Sequence, residues 1–577
     1  MNEPTRSPAS LGGASSPQGW RAAFPPALWL ARYPPRWLAH DAVAGVTLAA
    51  YGIPVSLAYA SLAGLPPQYG IYGYLVGGLG YALFGSSRQL AIGPTSAISM
   101  LVGVTVAGMA QGDPQRWAGI AALTALVIAV MCFLAWLLRL SSLVNFISET
   151  ILLGFKAGAA CTIALTQLPK LFGVPGGGEG FFERLWVLGG QIPQSNLAVL
   201  GFGLCALLLL LLAEKVLPGR PAALFVVAAS IVVLSLTSLG EQGFSVVGAL
   251  PQGLPQFHWP DLRARDVDGV VPLAFACLLL SYVESVSAAR ALAESHKTRI
   301  DPRQEFLGLG AANLGAALFQ AYPVAGGLSQ SSVNDKAGAQ TPLALVFASL
   351  TIGLCLLFLT DLLKNLPNVV LAAIVLVAVK GLVNIGEMKR LWRLSREEFL
   401  VSVIAFAAVL LLGILNGVIV AAVASLLLLI RRAAHPRVAL LGRIPGSRAF
   451  SDRARHPECQ PVPGALIVRV DAALLYFNAE PVRETVWQSL RAEPGPPSLL
   501  VWDLSTSAHV DMAGARMLAR LHQELAEVGV QLRLVAALPP VRALLRAEGL
   551  RENIDYFGRQ TTVADVVDEF QLSGREP

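Results

Sequence analysis

Two short polar stretches interrupt an otherwise apolar chain, Gly93-Pro94-Thr95-Ser96-Ala97-Ile98-Ser99 and Tyr322-Pro323-Val324-Ala325-Gly326-Gly327-Leu328-Ser329-Gln330-Ser331-Ser332. Each stretch follows a break at Gly or Pro and indicates the start of a helix inside the bilayer. Such a pair, placed in corresponding halves of a chain, is typical of inverted repeats whose discontinuous helices direct their N-termini at an anion. The pattern therefore favours a transporter.

Composition indicates a polytopic membrane protein. The chain has 577 residues, 54% of them hydrophobic and 14% charged, and a mean hydropathy of +0.59, whereas soluble domains carry about 25% charged residues. The net charge of +6 does not indicate nucleic-acid binding, because the cations gather in particular loops. The six cysteines show no disulfide or metal spacing, so we expect no metal and no cofactor.

Apolar windows long enough to cross about 30 Å of hydrocarbon recur along the chain. Including the two polar-interrupted segments gives fourteen, seven on each side of a long loop at 240–268. The interrupted segments are third in each half. The predicted spans lie near 41–62, 67–85, 94–110, 117–139, 143–167, 195–213, 221–239, 269–293, 304–321, 326–340, 342–360, 367–386, 398–414 and 415–431.

Basic residues in alternate loops give the orientation, since cytoplasmic loops carry an excess of Lys and Arg. All of the basic clusters fall on one side of the fourteen-span arrangement, so we expect both termini to be cytoplasmic. The polar N-terminus has no apolar core of a cleavable signal. The basic clusters are Arg21, Arg32 and Arg36; Lys215 and Arg220; Arg290, Lys297, Arg299 and Arg303; Lys389, Arg390, Arg393 and Arg396; and Arg431, Arg432 and Arg437.

The composition after about Ala434 is that of a soluble domain. Strand-like runs at Ala465–Val470, Leu499–Trp502 and Val530–Val535 alternate with helical stretches near 481–492, 512–528 and 539–548. This order predicts a small α/β domain. It contains no phosphate-binding loop and no nucleophile elbow, so regulation or assembly is expected rather than catalysis, and the chain is not expected to be an enzyme.

Glu284 is the ionisable residue that we single out within the spans. A carboxylate in the bilayer costs about 2.5 to 3.5 kcal/mol on insertion scales, so it is normally retained for a site. Ser281 and Ser287, three residues to either side, share its helix face. A structural alternative is a hydrogen bond to a neighbouring helix. The functional interpretation is a proton or cation site beside the substrate, since burial favours the neutral form of a carboxyl group.

Many segments, quoted below, resemble the sulfate permease (SulP) anion transporters, whose animal relatives include prestin and pendrin. The C-terminal domain resembles the STAS domain of that family. The matching segments are Asp41-Ala-Val-Ala-Gly-Val-Thr, Ile53-Pro54-Val-Ser-Leu-Ala-Tyr59-Ala60, Leu62-Ala-Gly-Leu-Pro-Pro-Gln-Tyr-Gly-Ile-Tyr72, Leu83-Phe-Gly-Ser-Ser-Arg88-Gln, Gly93-Pro94-Thr95-Ser96, Ile300-Asp-Pro-Arg-Gln-Glu305, Ser329-Gln-Ser-Ser-Val-Asn334, Ala337-Gly-Ala-Gln-Thr-Pro342, Leu474-Leu-Tyr476-Phe477-Asn478-Ala-Glu480, Asp503-Leu-Ser and Asp511-Met512-Ala513-Gly514.

The resemblance implies an α-helical polytopic membrane fold with seven plus seven inverted-repeat spans, arranged as core and gate bundles, and a small α/β STAS domain. It also implies a bacterial inner-membrane location and a homodimer. The expected parts are a cytoplasmic N-terminal segment 1–36, a transport domain 37–434 (repeats about 37–239 and 269–434), a linker 435–463 and a cytoplasmic STAS domain 464–577.

Site residues carried over from the family lie on the first, third, eighth and tenth spans. For Thr95, Ser96 and Ser329, helix capping alone is the alternative, and for Tyr59 it is core packing. The expected substrate-binding residues are Tyr59, Thr95, Ser96, Gly327, Ser329 and Gln330, with Val55 beside Tyr59, and the expected ion-coupling residues are Glu284, Ser281 and Ser287.

Several positions depart from the family pattern. Many relatives have Arg where this chain has Gln330, so a fixed positive charge is missing there, and we expect the anion to be held by helix dipoles or by a cation or proton brought along. Val55 replaces a polar residue, and Ala288 replaces the hydroxyl of sodium-coupled relatives, which favours coupling to protons through Glu284. Met512 and Ala513 replace a phosphorylatable serine in the STAS domain.

The function predicted from the sequence is secondary transport of a small inorganic or carboxylate anion, of the sulfate or bicarbonate class, by proton-coupled symport. Sodium-coupled symport or anion exchange in the same family is the first alternative. A nucleobase transporter of related fold would need a carboxylate in the tenth span, where Ser329 and Gln330 stand. A non-transporting sensor or scaffold is the third alternative, but it leaves Glu284 unexplained.

Overall fold

The computed structural model describes residues 24–30, 33–110, 113–140, 149–178, 180–216, 222–237, 243–260, 264–550 and 561–573. Most of the predicted N-terminal segment and the first residues of the span predicted at 143–167 lie outside the described residues. The chain divides into two compact units, Met1–Ser425 and Leu426–Pro577.

The first unit is almost entirely helical. Two four-residue helical turns, Pro26–Trp29 and Thr360–Leu363, and a 3₁₀ turn, Ile192–Gln194, accompany the longer elements. These elements are α1 (Trp37–Leu62), α2 (Gln68–Phe84), β1 (Ile92–Gly93), α3 (Ser96–Ala110), α4 (Pro114–Leu137), α5 (Glu149–Phe172), α6 (Phe181–Gln191), α7 (Leu197–Val216), α8 (Ala222–Leu236), α9 (Ala264–Ser295), α10 (Pro302–Leu318), β2 (Ala325–Gly326), α11 (Leu328–Lys336), α12 (Leu343–Phe358), α13 (Asn368–Lys380), α14 (Ile385–Leu394), α15 (Arg396–Leu412) and α16 (Ile414–Ala434).

Five stretches of the described residues are helical, long and apolar enough to cross a bilayer alone, and a pair bent by 116°, Phe181–Gln194 with Leu197–Ala213, makes a sixth if it is one span. Shorter apolar helices include α3, α8 and α12. The five stretches are Trp37–Leu62, Pro114–Leu137, Thr150–Phe172, Asp268–Ser295 and Asn368–Leu394. The fold is therefore that of a multi-pass membrane protein, and the count of fourteen segments stays a prediction.

The first unit exposes apolar side chains and also buries some carboxylates, unlike most soluble proteins. Large apolar side chains such as Phe133 and Leu208 are exposed, whereas Asp41 and Glu305 are fully buried. Asp41 accepts hydrogen bonds from the backbone N–H of Gln340 at 2.7 Å and from the Thr341 hydroxyl at 2.6 Å. Buried carboxylates of this kind tie helices together, because lipid offers no alternative partner.

The helices pack in two groups. In the first, α10 packs on α2 and α4, and α12 packs on α1; in the second, α13 and α15 pack on α5, and α13 also packs on α7. The α5–α15 contact depends on glycine, because a Cβ at Gly154 would lie 1.8 Å from the Ser402 carbonyl oxygen. Small residues at such positions let helix backbones approach in a membrane.

The second unit is an α/β domain. Its five-stranded sheet has the order β4-β3-β5-β6-β7, with β5, β6 and β7 parallel and β3 antiparallel to both of its neighbours. Trp502 on β6 is fully buried in its core. The elements are β3 (Val438–Arg443), β4 (Phe450–Asp452), β5 (Ala465–Val470), α17 (Ala479–Ala492), β6 (Leu499–Asp503), α18 (Met512–Glu527), β7 (Gln531–Val535), α19 (Pro539–Ala547) and α20 (Val563–Ser573).

The segment 435–463, predicted to be a linker, instead contributes β3 and β4 to this sheet. β3 is only six residues long, and it has Arg437 before it and Arg443 at its end. The composition of this segment is therefore that of a polar connector. At the start of α18, Asp511 accepts a hydrogen bond from the Gly514 N–H at 2.8 Å and caps the helix.

Candidate functional site

The two polar stretches meet as a pair of very short strands. β1 and β2 pair antiparallel, with Ile92 opposite Gly326 and Gly93 opposite Ala325. Helix α3 begins three residues after Gly93, and α11 begins two residues after Gly326. A Cβ at Gly93 would lie 2.4 Å from the ring of Tyr74, so the crossing requires glycine there. The strands place two helix N-termini close together within the helical bundle.

Side chains from the start of α11 hold this crossing. Gln330 Nε2 donates to the carbonyl oxygens of Ala91 and Ala325, each at 3.0 Å. Ser331 Oγ accepts from the Ala91 N–H at 2.9 Å, and Asn334 Nδ2 donates to the Gln89 carbonyl oxygen at 3.0 Å. The polar side chains after Gly327 therefore form hydrogen bonds with backbone groups around the β1–β2 pair.

A cavity of about 220 Å³ lies at the starts of α3 and α11. It brings together Tyr59 and Val55 from α1, the α3 start, Glu284 with Ser287 from α9, and the α11 start. The lining residues are Tyr51, Val55, Tyr59, Pro94, Thr95, Ser96, Lys156, Glu284, Ser287, Ala288, Ala291, Gly327, Leu328, Ser329, Gln330, Ala378, Gly381 and Leu382.

Ser281 does not line this cavity. Its hydroxyl is buried and donates to the Leu278 carbonyl oxygen at 3.1 Å. The neighbouring Ser285, which the sequence did not single out, donates to the Ser281 carbonyl oxygen at 2.6 Å and accepts from the Gly326 N–H at 2.8 Å. Ser285 therefore joins β2 to the helix that carries Glu284.

Lys156 on α5 also lines the cavity. It gives the site a cationic side chain, which the sequence had not led us to expect. Glu284 interacts electrostatically with Lys156 and lies close to Thr95. Lys156 was not among the expected site residues, because only the tenth-span position, where Gln330 stands, was considered as a source of positive charge. Lys156 lies in an apolar span, so the cost of a charge in the bilayer was the signal that could have found it.

The helix starts present donors to the cavity. The Ser99 N–H donates to the Thr95 carbonyl oxygen at 2.9 Å, and the Ser331 N–H donates to that of Gly327 at 3.0 Å, so earlier N–H groups in each helix lack an intrahelical acceptor. Each N-terminus carries roughly half a positive charge. Thr95 Oγ1 is buried and lies close to the Glu284 carboxyl group. The site therefore has the donors to bind a small anion.

The described residues contain no cluster of three or more His, Cys, Asp or Glu side chains that could hold a metal ion. The lining residues combine two charged groups, several hydroxyls and helix starts, without a nucleophile paired with a base. This arrangement suits binding and release of an ion.

Two regions of the chain match known protein families, and the whole chain is similar to known transporters. Residues 38–405 match the sulfate permease family, and residues 456–569 match the STAS domain. A probable sulfate transporter of Mycobacterium tuberculosis is 32% identical over 519 residues, which is 90% of this chain and 93% of that protein. The chloroplastic sulfate transporter 4.1 of Arabidopsis thaliana is 31% identical over 563 residues, covering 92% and 79% of the two chains.

Solved structures agree in fold at lower identity. The murine solute carrier 26 family member A9 anion transporter, in its inward-facing state, superposes with a TM-score of 0.86 at 22% identity, covering 99% of this chain and 97% of that one. The transmembrane domain of the cyanobacterial bicarbonate transporter BicA gives 0.60 at 21% identity, covering 67% of this chain and 98% of that one. The chain is therefore a member of the sulfate permease family of membrane transporters, with a C-terminal STAS domain.

Proposed function

We propose that the protein is a proton-coupled symporter of a small anion of the sulfate or bicarbonate class. The observation that carries the proposal is the position of Lys156 and Glu284 on one cavity between two helix N-termini. Relatives named as sulfate transporters, which match nine-tenths of this chain, support the substrate class.

Charge balance in the cavity couples the anion to a proton. With Glu284 ionised, its negative charge opposes that of Lys156 and repels an entering anion. Protonation of Glu284 leaves Lys156 and the two helix starts unopposed, so an anion then binds more tightly. Because the coupling is reciprocal, the bound anion also makes Glu284 hold its proton more tightly. The two ions therefore bind together, which is the requirement for symport.

The other lining residues receive distinct roles. Thr95, Ser96 and Ser329 contact the anion through hydroxyl and backbone donors, and Gly327 brings the α11 backbone close to it. Tyr59 closes one wall. Ser287 and the α9 backbone accompany Glu284. The cavity volume of about 220 Å³ is large enough for a small anion.

Transport follows from relative movement of the two helix groups. We assign α1–α4 and α9–α12 to a core that carries Glu284 and the helix starts, and α5, α7, α13 and α15 to a gate that carries Lys156. The antiparallel β1–β2 pair supports a seven-plus-seven inverted repeat of fourteen spans. Both termini lie in the cytoplasm of a bacterial cell, with the transporter in its inner membrane as a homodimer.

Uptake by proteoliposomes tests the proposal. Radiolabelled sulfate, bicarbonate, chloride and a small dicarboxylate are supplied with a proton gradient or a sodium gradient, imposed separately. We expect accumulation of at least one anion under an inward proton gradient and none under sodium alone. Glu284→Gln should abolish the proton-driven accumulation while anion exchange persists.

Other outcomes separate the alternatives. Sodium-driven uptake would assign sodium as the coupling ion, and gradient-independent exchange would make the protein an exchanger. The absence of flux for every anion would overturn the transporter assignment, and unchanged proton-driven uptake in Glu284→Gln would remove Glu284 from the coupling site.

A further inference from the structure

A second and larger cavity, of about 730 Å³, lies at the opposite end of α3 and α5 from their first residues. It is lined by the last turns of α1, α3 and α5, by the first turn of α4, and by the segment that follows α5. Its charged lining residues are Lys170 and Arg184, and the described lining contains no Asp or Glu. The described lining therefore carries two positive charges and no negative one, whereas the lining of the first cavity pairs Lys156 with Glu284.

Each cation has a neutral hydrogen-bond partner. Lys170 Nζ donates to Ser61 Oγ at 2.7 Å, which occupies one of the three ammonium donors. Arg184 Nε donates to the Gly178 carbonyl oxygen at 2.9 Å. Glu183 interacts electrostatically with Arg184 but is not among the residues that line the cavity. Donors of both side chains remain for a ligand within the cavity.

The two cavities lie along the same helices. On α1, Tyr59 lines the first cavity and Ser61 the second; on α5, Lys156 lines the first and Lys170 the second. Fourteen residues separate the two lysines, which corresponds to about 21 Å along a helix and to about 40° less than four full turns. Lys156 and Lys170 therefore lie on nearly the same helix face, one at each cavity.

We propose that the larger cavity is a second anion-binding site, an outer vestibule that captures the transported class of small anion before it reaches Glu284. The proposal rests on the proposed function and on the predicted orientation, which puts the end of α5 outside the cell. Two cations on the wall of a recess raise the local concentration of anions and their rate of entry. In the transport cavity, by contrast, Lys156 and Glu284 balance each other's charge, and loss of the Glu284 proton controls release of the anion.

Uptake kinetics in intact cells test this role through Lys170→Gln and Arg184→Gln. Glutamine at position 170 retains a donor for Ser61, so the change removes mainly charge. We expect each variant to raise the KM for external anion about tenfold or more and to leave the maximal rate within about twofold, with weaker dependence on ionic strength. Lys170→Arg should retain the normal KM.

Lys364→Gln is the matched control, because Lys364 is exposed on the same predicted face and lies outside the vestibule. It should leave the KM unchanged. An equal rise in KM for Lys364→Gln would mean that general surface charge is responsible, and an unchanged KM in both vestibule variants would overturn the proposal.

A measurement independent of transport uses Ala107→Cys, a lining position with an exposed side chain, in a background with Cys161→Ser and Cys205→Ser. Membrane-impermeant methanethiosulfonate reagents of opposite charge label the cysteine from outside. Relative to their rates with a free thiol, we expect the anionic reagent to react faster than the cationic one, sulfate to slow the anionic reagent, and Lys170→Gln to reduce the difference. Equal rates for the two reagents in the parent would overturn the vestibule even if transport is normal. Normal labelling with no anion flux would instead contradict the proposed function.

Discussion

Gln330 binds the backbone of Ala91 across the crossing of the two short strands, with 3.0 Å between its Nε2 and the carbonyl oxygen. The same nitrogen donates to Ala325, so both amide hydrogens are used. Gln330, where the family resemblance implied an arginine, thus holds the backbone at the helix starts. The cation of the cavity is Lys156, from another helix.

Replacing Gln330 by leucine should destabilise the protein by about 1–3 kcal/mol, because two buried carbonyl oxygens lose a donor. Thermal unfolding in detergent measures the change. Ser329→Ala is the comparison, since Ser329 is exposed to the same cavity; it should lower anion affinity with little effect on unfolding. Equal stability of the two variants would contradict a positioning role for Gln330.

Lys156→Gln should raise the KM for the transported anion about tenfold or more, because a charge-assisted contact is lost. Lys156→Arg should retain most of the affinity. In a double-mutant cycle, Lys156→Gln with Glu284→Gln should be non-additive by at least about 0.5 kcal/mol, since the two charges act on one ligand. Additive effects on the KM would show that the two residues act separately.

Glu305 should be required for folding rather than transport. Its buried carboxylate accepts from the Tyr81 hydroxyl at 2.8 Å, from the Ser86 hydroxyl at 2.6 Å and from the Ser87 N–H at 3.2 Å. Glu305→Gln places N–H donors against donors and should cost about 3 kcal/mol, whereas Tyr81→Phe removes one donor and should cost about 1 kcal/mol. Thermal unfolding of the purified variants checks the order, and a smaller cost for Glu305→Gln would contradict it.

Much of the candidate site could be predicted because polar residues are conspicuous in an apolar chain. Thr95, Ser96 and Glu284 were identified in this way, and the structure brings them to one cavity. Lys156 met the same criterion but was overlooked in favour of a single carboxylate. Helix spacing put Ser281 on the face of Glu284, but it could not reveal that the Ser281 hydroxyl bonds its own helix.

The fold was less evenly predictable. The strands at Ala465–Val470 and Leu499–Asp503 match their predicted runs, since a buried parallel strand leaves a continuous apolar stretch. The pairing of β1 with β2 could not be predicted, because two residues carry no periodicity. Nor does hydropathy reveal the bend of 116° between Phe181–Gln194 and Leu197–Ala213.

Acid should loosen the last helix of the second unit. Hydrogen bonds from Arg443 lower the pKa of Asp568, and those from Thr562 lower the pKa of Asp565. A lowered folded-state pKa gives stability that is present above the unfolded value and is lost as the pH falls through the folded value, here below about pH 4. Hydrogen exchange of α20 in the full-length protein, corrected for intrinsic rates, should show this loss.

Arg448→Gln should reduce the hydrogen-exchange protection of α20 at neutral pH, because Arg448 donates hydrogen bonds to both carboxylates. Unchanged protection in this variant and at low pH would contradict the network.

Gly154→Ala on α5 should impair transport. The new Cβ would lie 1.8 Å from the Ser402 carbonyl oxygen, which is backbone and cannot rotate away. α5 must then move from α15, and Lys156, two residues further on, moves with it. Gly201→Ala on α7 is the control, because nothing lies within 4 Å of its Cβ position, and alanine there should be neutral or stabilise the helix by up to about 1 kcal/mol. Uptake rates and unfolding temperatures of the two variants measure the difference. Normal uptake by Gly154→Ala would mean that the α5–α15 contact does not fix Lys156 in the cavity.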